Sequence, residues 1–158
     1  MDSKQIAPCL WFDKEAEDAA NFYVSVFRNS KINKVTRYGK VGEEIHGQKE
    51  GTVLTVEFSL NGQQFLALNG GPVFTFSEAI SFQIPCETQE DIDYYWDKLT
   101  SDGGKESQCG WLKDKFGLSW QVVPTILPKL MSDPSRKDRV MQAFLRMKKF
   151  IIKDLENA

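Results

Sequence analysis

The sequence predicts an α+β fold: two copies of a βαβββ module followed by a C-terminal helical tail. Three observations carry this. A short apolar stretch followed by an amphipathic helical pattern occurs twice. Alternating strands with turn signals follow each helix. The two helical segments also match one another, with "EDAANFY" (Glu17 to Tyr23) in register with "EDIDYYW" (Glu90 to Trp96). Repetition of a whole strand-helix-strands order points to a duplicated unit.

The elements follow in chain order. "IAPCLWF" (Ile6 to Phe12) is short and apolar and reads as a strand. In "KEAEDAANFYVSVFRNS", Ala16, Ala19, Ala20, Phe22, Tyr23, Val26 and Phe27 fall at helical spacings. "KINKVTRYG" is the second strand, and a Gly/Glu-rich loop around His46 follows it. In "TVLTVEFSL", Leu54, Val56, Phe58 and Leu60 face one way, and Val53, Thr55, Glu57 and Ser59 face the other. Asn61-Gly62 is a two-residue hairpin signal, and "QQFLALN" is the returning strand.

The second copy opens with "AISFQIP" as a strand. "TQEDIDYYWDKLTSDGG" is a helix stopped by Gly103-Gly104. "KESQCGWLK" and "LSWQVVP" make a closing hairpin around "DKFG". The modules run over about 5–72 and 76–124, and the tail over about 125–158, within one domain. In the tail, Pro128 to Ser132 is a short helical piece. Asp133-Pro134 reads as an N-cap with proline at the first helical position. Val140, Met141, Phe144, Leu145 and Lys148 then share a face, suited to core packing or a subunit contact.

Composition narrows the function. At 41% hydrophobic and 27% charged, the 158 residues have an ordinary globular make-up. A net charge of −2 supplies no basic field for nucleic acid. The start, "MDSKQIAP", has no apolar h-region, and no run approaches a membrane span. Three widely spaced cysteines make no disulfide framework, so a cytoplasmic location is expected. A single histidine, His46, rules out a His-rich metal site.

The segments "LWFDKEAEDAANFYVSVFRNSKI", "TVEFSLNGQQFLALNGGP", "ISFQIPC" and "CGWLKDKFGLSWQVVP" resemble the PhnB-like branch of the vicinal oxygen chelate (glyoxalase/bleomycin resistance/dioxygenase) superfamily. That branch carries the label 3-demethylubiquinone-9 3-methyltransferase domain. The resemblance runs from about Ile6 to Lys149. It implies a glyoxalase-like fold in which sheets of paired βαβββ modules curl around a cavity, and a homodimer.

Metal-dependent members place His and Glu ligands on the first, fourth, fifth and eighth strands. Carried over strand by strand, these positions fall near Ala7, with Cys9 and Trp11 on the same face. On the fourth strand they fall on Ala67 or Asn69. On the fifth they fall near Ala79, with Ser81 and Gln83 on that face, and on the eighth at Gln121. Such side chains suit a divalent ion poorly. Cys9, Cys86 and Cys109 have no C-x-x-C spacing, so neither a catalytic metal nor another cofactor is expected. An S-adenosylmethionine enzyme usually brings a doubly wound sheet with a glycine-rich first turn. Here the first strand enters its helix through "DKEAED", which has no glycine.

The resemblance places several side chains in or near the cavity. Gln83 and Gln121 are uncharged amides on apolar strands, so they either satisfy each other or bind a ligand. Trp11 is an aromatic wall, whereas Trp120 alternates with Gln121 and belongs to the core. Asn69 is a polar contact or a turn residue. Glu57 is a general-base candidate or a solvated carboxylate, and Cys9 a nucleophile or an inert thiol. The expected function is metal-independent binding of a small molecule in a cavity between the modules, as bleomycin-resistance relatives sequester drugs. The alternatives are an enzyme using Glu57 or Cys9, such as the methyltransferase of the label, and a dimeric scaffold with a vestigial cavity.

Overall fold

A computed structural model describes residues 6–158 of the chain. Two compact units divide between Thr75 and Phe76.

The first unit is built on strand β1 (Cys9–Phe12), helix α1 (Ala16–Val26), β2 (Lys31–Arg37), a short helix α2 (Glu43–His46), β3 (Val53–Leu60) and β4 (Gln63–Asn69). The sheet order is β1-β4-β3-β2. β1 pairs parallel with β4, and the other two pairings are antiparallel. Ala16, Ala19, Ala20, Tyr23 and Val26 form the buried stripe of α1. Three alanines let the helix lie close on the sheet, where it meets Val56, Phe58, Phe65 and Ala67. The ring of Tyr23 stacks on Phe58, and Phe58 on Phe65. The β3–β4 turn has both Asn61 (φ 47°) and Gly62 (φ 86°) in the left-handed region. A tight hairpin of the right twist requires that pairing, and an asparagine followed by glycine tolerates it at least cost.

The second unit repeats the plan with β5 (Phe82–Cys86), α3 (Gln89–Thr100), β6 (Lys105–Glu106), β7 (Trp111–Lys113) and β8 (Ser119–Pro124). Its order, β5-β8-β7-β6, is that of the first sheet, again with one parallel pair, β5 with β8. Thr88 caps α3 by accepting a hydrogen bond from the Asp91 N–H. Ile92, Trp96 and Leu99 face the sheet at i, i+4, i+7 and bury against Ile84, Leu112, Trp120 and Val122.

The tail belongs to this second unit as α4 (Leu127–Ser132), α5 (Lys137–Phe144) and α6 (Ile152–Glu156). Leu130, Val140, Phe150 and Leu155 anchor it. The backbone N–H groups of Cys109 and Gly110 bond to the carbonyls of Met147 and Lys148. The amide of Gln89 bonds both the Phe150 carbonyl and the Ile152 N–H.

Four boundaries differ from expectation. β5 starts at Phe82, so Ala79 lies in an exposed turn and Ser81 just ahead of the strand. β1 starts at Cys9, which leaves Ala7 outside it. "KESQCGWLK" is not one strand but two, because Cys109 (φ 57°) and Gly110 (φ 80°) turn the chain and let β6 pair with β7. Helix α5 begins at Lys137 rather than beside Pro134. The Asp133 carboxylate accepts from both the Ser135 N–H and its hydroxyl, holding a local turn that competes with helix. The helix ends at Phe144, so Leu145 falls past it and is exposed.

Candidate functional site

Each helix covers one face of its sheet and leaves the other open within the unit. On the open face of the first sheet, register aligns Cys9, Leu66, Glu57 and Lys34 in one row. The next row holds Trp11, Leu68, Thr55 and Thr36. Cys9 and Glu57 are thus two strands apart, roughly 10 Å across the sheet, with Leu66 between them. Glu57 is half-buried. Cys9 is exposed as a residue, yet the desolvation its sulfur does feel raises its pKa. A thiol shifted that way is protonated at neutral pH and is a poor nucleophile.

The remaining first-unit candidates serve the fold. Trp11 lies over Gly70, where an added Cβ would sit 2.1 Å from its ring. Its indole N–H donates to the Gly71 carbonyl at 2.8 Å, and Phe74 meets the ring edge-on. Ala67 and Asn69 lie on the helix side, so β4 presents Leu66 and Leu68 to the open face instead. The Asn69 side chain is 5% exposed. It accepts from the Ala16 N–H at 2.8 Å and donates to the Val53 carbonyl at 3.0 Å. A polar ligand contact there gives way to a structural one: α1 has no cap of its own, and Asn69 supplies it. His46 is spent locally as well. Nδ1 accepts from the Gln48 N–H at 3.0 Å, which leaves Nε2 to donate to the Val41 carbonyl at 3.3 Å.

The second unit brings its predicted residues together. Gln83, Gln121 and Trp111 are consecutive cross-strand partners on the open face. The Gln83 amide donates to Gln121 Oε1 at 3.3 Å, and the Gln121 amide donates to Ser81 Oγ at 2.8 Å. Trp120 lies on the opposite face, 2% exposed. An amide offers two N–H donors and two acceptor lone pairs. The mutual bonds use only some of these, and they fix the direction of what remains. The next row carries Lys105, Lys113 and Ser119.

Asp114 explains why this face is held in shape, and the motif "DKFG" gave only its turn. Buried at 3% exposure, its carboxylate accepts from the N–H groups of Phe116 (2.9 Å) and Leu118 (3.1 Å) and from the Trp120 indole (2.8 Å). One side chain therefore ties the β7–β8 turn to the core.

The donors on these faces do not fit the divalent ion of metal-dependent superfamily members. Amides, a hydroxyl, a protonated thiol and leucines stand on the strands concerned. Among the described residues no three His, Cys, Asp or Glu side chains are grouped to hold a metal.

Comparisons agree with the geometry. Residues 4–123 match the family described as 3-demethylubiquinone-9 3-methyltransferase. The PhnB protein of Bacillus cereus is 38% identical, covering 77% of this chain and 100% of its own, with a TM-score of 0.68. Protein PA1353 of Pseudomonas aeruginosa (16% identity, 77% and 98% covered, TM-score 0.61) shares the fold. So does the fosfomycin resistance protein FosX of Listeria monocytogenes (12% identity, 84% and 100% covered, TM-score 0.57). A search of curated proteins gives no match. The chain belongs to the PhnB-like family described as 3-demethylubiquinone-9 3-methyltransferase, within the vicinal oxygen chelate superfamily.

Proposed function

We propose that this protein binds a small organic molecule without a metal, on the open face of the second sheet. The hydrogen-bonded run Gln83–Gln121–Ser81 carries the proposal. Neutral, pre-oriented amides beside the Trp111 ring recognise a flat polar ligand and offer no general acid or base. A ligand thermal-shift screen tests it. Saturable stabilisation of the native chain, absent from a folded Gln83→Leu/Gln121→Leu variant, supports binding. Equal stabilisation of both proteins would exclude these amides.

An enzymatic role rests on the row shared by Cys9 and Glu57. Their separation and the protonated thiol weigh against it. The methyltransferase of the family description meets a further difficulty, because both sheets are mixed and four-stranded rather than doubly wound. Turnover lost on Glu57→Gln or Cys9→Ser, with the fold intact, would reverse the order of these two readings. A scaffold with a vestigial cavity predicts that the double Gln variant gains stability and loses no function. We read the protein as a cytoplasmic homodimer, which the three free thiols and the superfamily habit support.

A further inference from the structure

Beside the amide row, the second unit holds a cavity of about 210 Å³. Ser119, Lys113, Lys105, Glu78, Glu106 and Trp111 are among the residues that line it. Three observations there are unexplained by folding. Ser119 is completely buried, and its hydroxyl has no hydrogen-bond partner, the one such side-chain atom among the described residues. A buried hydroxyl left unmade lowers stability and calls for a partner. Lys105 and Lys113 stand directly opposite each other across the β6–β7 ladder, where like charges repel. Glu78 offsets Lys113 at 2.6 Å, and Glu106 is spent on the Trp96 indole and Lys148. Among the described residues, Lys105 has no acidic partner.

We propose that this cavity is an oxyanion subsite, which takes the carboxylate or phosphate end of a small aromatic ligand. Ser119 Oγ–H donates to one anionic oxygen, and Lys105 supplies the counter-charge. The volume is below the 300–1,000 Å³ or so of pockets that enclose a whole drug-sized ligand. It holds the charged end only. The ring lies on Trp111, which borders the cavity and is the register partner of Gln121. The inference rests on the ligand face proposed above and names the class of ligand.

Titration of the full ¹⁵N-labelled chain, followed by NMR, tests it with four probes: phenyl phosphate, benzoate, inorganic phosphate and neutral benzamide. At least one aromatic oxyanion is expected to bind saturably, shifting the Ser119 and Lys105 signals, at least about tenfold more tightly than benzamide. The tighter of phenyl phosphate and benzoate identifies the headgroup. Lys105→Gln should weaken it about tenfold and Ser119→Ala about fivefold. Ser119→Ala should also melt roughly 2 °C higher, since it removes the unpartnered hydroxyl. Inorganic phosphate binding as well as phenyl phosphate would overturn the role of Trp111. Anions that never saturate, or dissociation constants unchanged in both variants, would overturn the subsite. If benzamide alone then moves the Gln83 and Gln121 amides, the ligand face survives without its anion site. If no probe moves them, both fall.

Discussion

The two units share one topology and put their polar side chains to different ends. In the first, Asn69 caps α1 from 53 residues away, Trp11 spends its N–H on Gly71, and Tyr38 donates to the Asn69 carbonyl. Its open face carries Cys9, Trp11, leucines, threonines and the charged side chains Glu57 and Lys34. In the second, Thr88 caps α3 locally and the Asp114 carboxylate ties the β7–β8 turn to the core. Gln83 and Gln121 of that sheet stay on the open face, linked to each other and to Ser81. On the proposed reading, a duplicated scaffold has kept one copy for architecture and freed the other for recognition. Asp114 apart, the cost of losing a polar group should follow that division.

Asp114→Ala should bring the largest loss. It strips two backbone donors and an indole of a charged acceptor, at about 3–4 kcal/mol by urea unfolding. A loss under about 1 kcal/mol would show that the turn is held by its backbone alone. Gly110→Ala tests the tail next. At φ 80° an added Cβ would sit 2.5 Å from the Phe150 ring and 2.6 Å from the Val122 carbonyl, so about 2–3 kcal/mol should be lost. The two caps give the sharpest contrast. Asn69→Ala leaves two buried backbone groups unpaired and should cost about 2 kcal/mol, against about 1 kcal/mol for Thr88→Ala. Equal costs would break the proposed difference between distant and local capping.

The smallest effect is on pH. Lys149 holds the Asp93 carboxyl below its ordinary 3.8, and the Trp96 indole, with Lys148 behind it, holds Glu106 below 4.5. Both groups are lowered by folding, so their contribution is complete above those ordinary values and is lost as pH falls through the lower, folded ones. The groups are exposed, so only the tail's grip on α3 and β6 should loosen in acid. Amide exchange confined to residues 145–152 is the expected sign.

Much of the fold was legible because the signals were local. Strand alternation fixed β3, Asn61-Gly62 fixed its hairpin, and the match between Glu17–Tyr23 and Glu90–Trp96 exposed the duplication. Gln83 and Gln121 stand out in the sequence because amides on apolar strands are chemically out of place. Ser81 enters only through the resemblance, and the structure sets the three within bonding distance. The capping role of Asn69 is not legible in the sequence, for the opposite reason. Its partners, Ala16 and Val53, are far away in sequence, and nothing near it announces a missing cap. Asp114 and Ser119 were hidden in the same way: a turn aspartate and a strand serine look ordinary until burial shows what each has, or lacks, as a partner.

In the proposed reading the second sheet's amides hold a small molecule. Native mass spectrometry of the purified protein beside its Gln83→Leu/Gln121→Leu variant tests this most directly. The expected result is an organic mass retained by the native chain and lost from a variant that remains folded. The same mass on both proteins, or a stoichiometric metal ion in its place, would contradict it.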